Sequence, residues 1–102
     1  MKEAEIRKKA IEILQGKGWA TWFPSKARFK QNDIFGIFDL ICWKKKNGEL
    51  KFVQLTTVSN LSTRRKKIQN FLKKNKINPK RNLGIEIWAW NRKKKAFKIE
   101  SI

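Results

Sequence analysis

The chain has no histidine and no tyrosine, one cysteine, two prolines and eight carboxylates in 102 residues. Without histidine there is no imidazole general base, no Ser-His or Cys-His nucleophile pair, and no haem ligation by His. A single thiol and no imidazole leave no soft zinc site. The one cysteine, Cys42, lies in an apolar segment and reads as a reduced core residue. That fits an intracellular setting, cytoplasmic or nucleoid-associated. No apolar run approaches the ~20 residues of a membrane-spanning helix. The first residues, Met1 to Glu5, are charged and helical in character rather than signal-like. There is no glycine-rich phosphate loop. Any catalysis by this chain must therefore use carboxylates, lysines and a hard metal ion.

Positive charge is in excess. Lys and Arg number 26 against eight Asp and Glu, for a formal net charge of +18. Charge of that size at this length predicts a polyanionic partner, nucleic acid ahead of an anionic membrane. Five Trp and seven Phe argue for a folded protein rather than a basic disordered tail. The length suits one domain spanning residues 1–102, burying roughly 65% of its unfolded surface around one modest core.

Periodicity supplies the elements. Ile6, Ala10, Ile13 and Leu14 fall at helical spacing over residues 3–16, with Gly16 and Gly18 as C-terminal stops. Residues 19–23 read as a strand ended by Pro24. Residues 25–33 are polar and basic, a loop or irregular edge. Residues 35–43 and 50–57 read as strands joined at Asn47-Gly48, a two-residue hairpin signal. Residues 60–75 read as a helix with Leu61, Ile68, Phe71 and Leu72 on its apolar face and a basic remainder. Ser59, Asn60 or Ser62 is its expected cap. Residues 84–90 and 96–102 close the chain as strands. The Lys runs 44–46 and 93–95 read as solvated turns. The order α-β-β-β-α-β-β predicts an α/β sandwich around a small sheet.

A two-residue turn sets Lys46 opposite Glu49, which predicts Asp39 opposite Thr56 and Ile41 opposite Gln54. Alternation then places Asp39, Gln54 and Thr56 on one face. Phe38, Leu40, Cys42, Val53 and Leu55 fall on the other. A polar cluster thus collects at the open end of an otherwise apolar hairpin. The plainer alternative is that Asp39 caps a neighbouring loop while Gln54 satisfies a sheet edge.

An acid after apolar residues, then a hairpin, then Val53-Gln54-Leu55-Thr56, resembles the PD-(D/E)XK nuclease fold. Archaeal Holliday-junction resolvases and Mrr-type restriction endonucleases belong to that group. The resemblance covers roughly residues 3–91 and rests on a short motif together with topology and charge. It implies a restriction-endonuclease-like α-β-β-β-α-β core with a mixed central sheet. It also implies Asp39 as a metal ligand, and Gln54 and Thr56 at the (D/E)-x-K positions. The cofactor would be Mg²⁺ or Mn²⁺, held by Asp39, Gln54, the Leu55 carbonyl and one of Asp33 or Glu5, and it would activate a water for phosphodiester hydrolysis. Among Glu3, Glu5 and Glu12, Glu5 is assigned the helix ligand. Asp33 reads equally as a strand-start turn residue. Glu86 and Glu100 carry no assigned role.

One position departs from the family: Thr56 stands where a lysine is expected. Lys67 or Arg64, one helix away, would have to supply the missing charge. Arg28, Lys30, Arg64, Arg65, Lys66 and Lys67 are the expected nucleic-acid contacts, and Trp22 and Phe29 either stack on bases or pack. DNA is the expected partner, and the family implies a homodimer. The alternative is an inactive DNA- or RNA-binding module on the same fold; a third class, a structural nucleoprotein component, rests on charge alone. Glu49-Leu50-Lys51 repeats the motif letters, but it sits at the turn with Glu49 on the opposite face, so it reads as a decoy.

Overall fold

The computed structural model describes residues 3–24, 34, 35, 37–78 and 83–102. Helix α1 (Glu3–Gly16) buries Ile6, Ala10 and Leu14, a stripe at four-residue spacing. Glu3 and Glu5 occupy its first turn, where the helix dipole favours negative charge. The helix stops where Gly18 takes φ +90°, a conformation closed to most side chains. Strand β1 (Trp19–Trp22) follows at the edge of the sheet.

Strand β2 (Leu40–Lys44) pairs with β1 on one side and β3 (Leu50–Thr57) on the other, antiparallel to both. A 3₁₀ turn (Val58–Asn60) leads into α2 (Leu61–Lys74). Asn60 is the N-cap residue, but its amide donates to Thr57 Oγ1 at 3.3 Å instead of capping the helix. The helix crosses to β4 (Leu83–Asn91), which runs parallel to β3, and β5 (Ala96–Ser101) pairs antiparallel with β4. The sheet order is β1-β2-β3-β4-β5. This is the mixed sheet expected: a parallel pair needs a crossover element, and α2 is that crossover.

Each face of the sheet carries its own core. Ala10 and Leu14 of α1 pack with Leu40, Cys42, Val53 and Trp88. Leu61, Ile68 and Leu72 of α2 pack with Ile85, Ile87 and Ala89 on the other side. The protein is therefore an α/β sandwich with helices on both faces.

Two expectations are corrected. The hairpin is not closed by two residues. Lys44 N–H donates to Glu49 O at 2.9 Å and Gly48 N–H to Lys44 O at 2.8 Å, which leaves residues 45–48 as a four-residue loop. The pairs are Trp43 with Leu50 and Leu40 with Val53, a shift of two residues from the expected register. The asparagine explains the longer loop. Its Oδ1 accepts the Glu49 N–H at 3.0 Å and its Nδ2 donates to Glu49 Oε1 at 3.0 Å, so Asn47 folds forward onto the start of β3. An even shift preserves which face each side chain takes. The second correction concerns Phe38, which packs with Ile37 and the α2-side core rather than with Leu40 and Cys42. The strand begins at Leu40, not residue 35. Ile34 and Phe38 bridge one another around Phe35, whose φ of +55° breaks the extended chain, so alternation does not reach back to Phe38.

Candidate functional site

The expected polar cluster forms where β2 begins. Continuing the observed register one residue past Leu40 and Val53 brings Asp39 to Gln54, not to Thr56. Asp39 Oδ2 accepts the Leu55 backbone N–H at 2.7 Å and the Gln54 Nε2–H at 3.2 Å. The first is short and charge-assisted. It also has a structural effect, because the carboxylate takes a strand N–H where β2 supplies no carbonyl. Asp39 and Gln54 are both buried.

Gln54 is the unusual member. Its Nε2 donates to Asp39 and to the Leu55 carbonyl at 3.2 Å, so the carboxylate fixes the amide orientation. Its Oε1 then remains a buried acceptor with no hydrogen-bond partner. Leaving a buried acceptor unpaired costs about 1–3 kcal/mol. An amide oxygen is also an ordinary ligand for a hard cation.

Further along β3 a depression of about 290 Å³ opens between α1, the end of β3 and the start of α2; it is lined by Glu3, Ile6, Leu55, Thr56, Thr57, Asn60 and Arg64, so it meets the cluster through Leu55 and not through Asp39 or Gln54. It gathers one acid, two hydroxyls, one amide and one guanidinium from four elements. Glu3, rather than the expected Glu5, lines it; Glu5 is exposed on the helix. Arg64 lines it and Lys67 does not; Lys66 and Lys67 lie exposed further along α2. Arg65 points elsewhere: its guanidinium clasps Glu100 on β5, with Nη2–Oε2 at 2.7 Å and a second bond from Nε to Oε1. Arg65 is thus committed within the protein. The hydrogen bond from Arg65 holds the Glu100 carboxyl below its ordinary range, and the same bond raises the guanidinium. Asp33, Arg28, Lys30 and Phe29 lie outside the described residues.

Among the described residues, no three His, Cys, Asp or Glu side chains are grouped closely enough to hold a metal ion. The donors present are Asp39 and the orphaned Gln54 oxygen, with Glu3 on the lining of the neighbouring depression. All are oxygens, which suits Mg²⁺ or Mn²⁺ with the remaining positions taken by water and phosphate.

Sequence reasoning missed one constellation. Lys51, in the decoy triplet, is buried, and its Nζ lies 2.9 Å from Glu86 Oε1. The ammonium also sits 4.1 Å from the centroid of the Trp19 ring, and Trp88 Nε1–H donates to the same Glu86 oxygen at 3.0 Å. The available signal was parity: Lys51 alternates with Phe52 onto the face of Val53 and Cys42, the α1 side. Glu49 is an exposed turn residue, as expected. Cys42 is fully buried, and that burial pushes its thiol up to about 11. Comparison with family models, curated proteins and solved structures finds no match to this chain. No helix among the described residues is long and apolar enough to cross a membrane.

Proposed function

We propose that the chain binds nucleic acid, DNA foremost, and hydrolyses its phosphodiester bonds with Mg²⁺ or Mn²⁺ at the Asp39–Gln54 site, in the manner of the PD-(D/E)XK endonucleases it resembles. The observation that carries this reading is the buried Asp39 carboxylate clamped beside a Gln54 oxygen that has no partner. Asp39 and Gln54 Oε1 would hold the cation, and Glu3 is the carboxylate that lines the depression further along β3. A bound divalent cation supplies water acidification and neutralises charge building on the phosphate. The chain's own residues do the rest. Leu55 N–H and Gln54 Nε2 orient the carboxylate. Thr56 and Asn60 offer hydrogen-bond donors to a phosphate oxygen, and Arg64 supplies the positive charge that the family's lysine would have given. The net charge of +18 draws the polyanion to the surface.

A binding module without catalysis is the second reading. It is favoured by Thr56 at the lysine position and by Asp39 Oδ2 already serving Leu55 and Gln54. One assay separates the two. Wild type, Asp39→Asn and Thr56→Lys are incubated with branched, duplex and single-stranded DNA in Mg²⁺, Mn²⁺ or EDTA. The expected result is metal-dependent cutting by wild type, lost in Asp39→Asn with binding retained and increased in Thr56→Lys. If neither wild type nor Thr56→Lys cuts any substrate, hydrolysis is abandoned and the binding module stands.

A further inference from the structure

The depression at the end of β3 is the first of four that adjoin through shared residues. Thr57 lines both it and a second one of about 430 Å³, which runs over Ser59, Trp90, Asn91, Arg92 and Lys93. Trp90 and Arg92 are shared in turn with a third, of about 340 Å³, completed by Lys9 and Lys95. Lys9, Trp90 and Lys95 carry over into a fourth, of about 400 Å³, between α1 and β5. The track thus leads from the first depression, across the β4–β5 turn, into a groove on the α1 face.

Its chemistry is uniform. Arg92, Lys93, Lys95 and Lys9 are exposed cations along it, and Glu12 is the one carboxylate among the described residues lining the three outer depressions. The floor contains aromatic rings, of which Trp88 and Trp90 are buried and Phe97 is half-buried. Phe97 sits between Trp88 and Trp90, with ring centroids 5.3 and 5.1 Å away. Ile13 and Ile99, both more than a third exposed, complete the apolar groove. The turn that carries the cations is pinned rather than loose. Asn91 Oδ1 accepts the backbone N–H groups of Lys93 at 3.0 Å and Lys94 at 3.1 Å.

We infer that this track is the path of an unpaired nucleic-acid strand leaving the Thr56–Arg64 depression, with its phosphates on Arg92, Lys93, Lys95 and Lys9 and its bases against half-buried Phe97 and the exposed Ile13 and Ile99 of the outer groove. A duplex presents phosphates and sugars outward and does not reach recessed rings. An unpaired strand turns its bases to them, and stacking on aromatic faces tolerates any sequence. The inference rests on the nucleic-acid part of the function proposed above and not on hydrolysis.

The test uses the full chain carrying Asp39→Asn, in EDTA, so that cutting plays no part. Fluorescence anisotropy compares a labelled single strand with a blunt duplex. Arg92→Glu/Lys95→Glu is set against Lys45→Glu/Lys46→Glu, the same charge change on the exposed β2–β3 turn. The track variant should weaken single-strand binding at least about tenfold, and lower the log–log salt slope by ~1.4, for two lost phosphate contacts at ~0.7 each. The control should cost single-strand binding much less, and duplex binding should respond alike to the two. A 5-iodouracil strand should photocrosslink to Phe97. Equal single-strand losses in both variants, an equal loss for duplex in the track variant, or crosslinks confined to other surfaces would overturn the path. Failure of wild type to bind any nucleic acid would overturn the proposed function as well, whereas binding without cutting removes hydrolysis alone.

Discussion

Replacing Lys51 by Met should cost this domain about 4 kcal/mol. The ammonium lies 2.9 Å from Glu86 Oε1, and the two side chains keep only 10% and 21% of their surface in water. Removing one partner of a buried pair costs roughly 3–5 kcal/mol, because the other charge stays behind. Glu86 keeps the Trp88 indole N–H at 3.0 Å and a fifth of its surface in water, so the low end of that range applies. Loss of the ammonium from the Trp19 face adds ~1 kcal/mol, while the Met side chain retains most of the packed stem. The double variant Lys51→Met/Glu86→Gln leaves no charge behind and keeps an acceptor for Trp88, so it should return to within ~1 kcal/mol of wild type. Urea unfolding followed by tryptophan fluorescence and far-UV circular dichroism measures both, with a double-mutant cycle giving the coupling. If Lys51→Met costs less than ~1 kcal/mol, or the double variant is no better than the single, the pair is not a buried determinant of this sheet and the argument fails.

The other expectations concern titration. Cys42, raised from 9.0 to about 11 by burial, should react with a thiol reagent at pH 8 ~100-fold more slowly in the native than in the unfolded chain, from thiolate fraction alone; equal rates would place it at the surface. Because the unfolded thiol loses its proton first, this group's contribution is complete below pH 9.0 and is lost as pH rises towards about 11. Glu100 is lowered by Arg65, so its contribution is present above the ordinary carboxylate range and is lost as pH falls through the depressed folded value. Carbon-detected NMR titration should show Glu100 rising back towards 4.5 in Arg65→Met, and an unchanged midpoint would remove the pair.

The site was legible only in part. Alternation placed Asp39 and Gln54 on one face, and an even register shift left that intact. The partner was wrong, because the Asn47 side chain closes a four-residue loop rather than a tight turn. Arg65 looked like its basic neighbours on α2, but Glu100 is thirty-five residues away in the chain and adjacent only across the packed β5 edge. Glu3 and Glu5 are indistinguishable by composition; only the packed structure shows that Glu3 lines the depression and Glu5 does not.

What the sequence by itself determined is local in origin. Apolar spacing of 3.6 and 2 residues set the helices and most strands, glycine ended α1, and the absence of histidine excluded imidazole chemistry. What only the tertiary structure decided depends on pairs distant in sequence. The parallel docking of β3 on β4 brings Lys51 within reach of Glu86. The junction of α1, β3 and α2 makes the depression at the end of β3, and the β4–β5 turn meeting α1 makes the basic aromatic track. Such placements follow from how whole faces pack, and neither periodicity nor propensity along one segment carries that information.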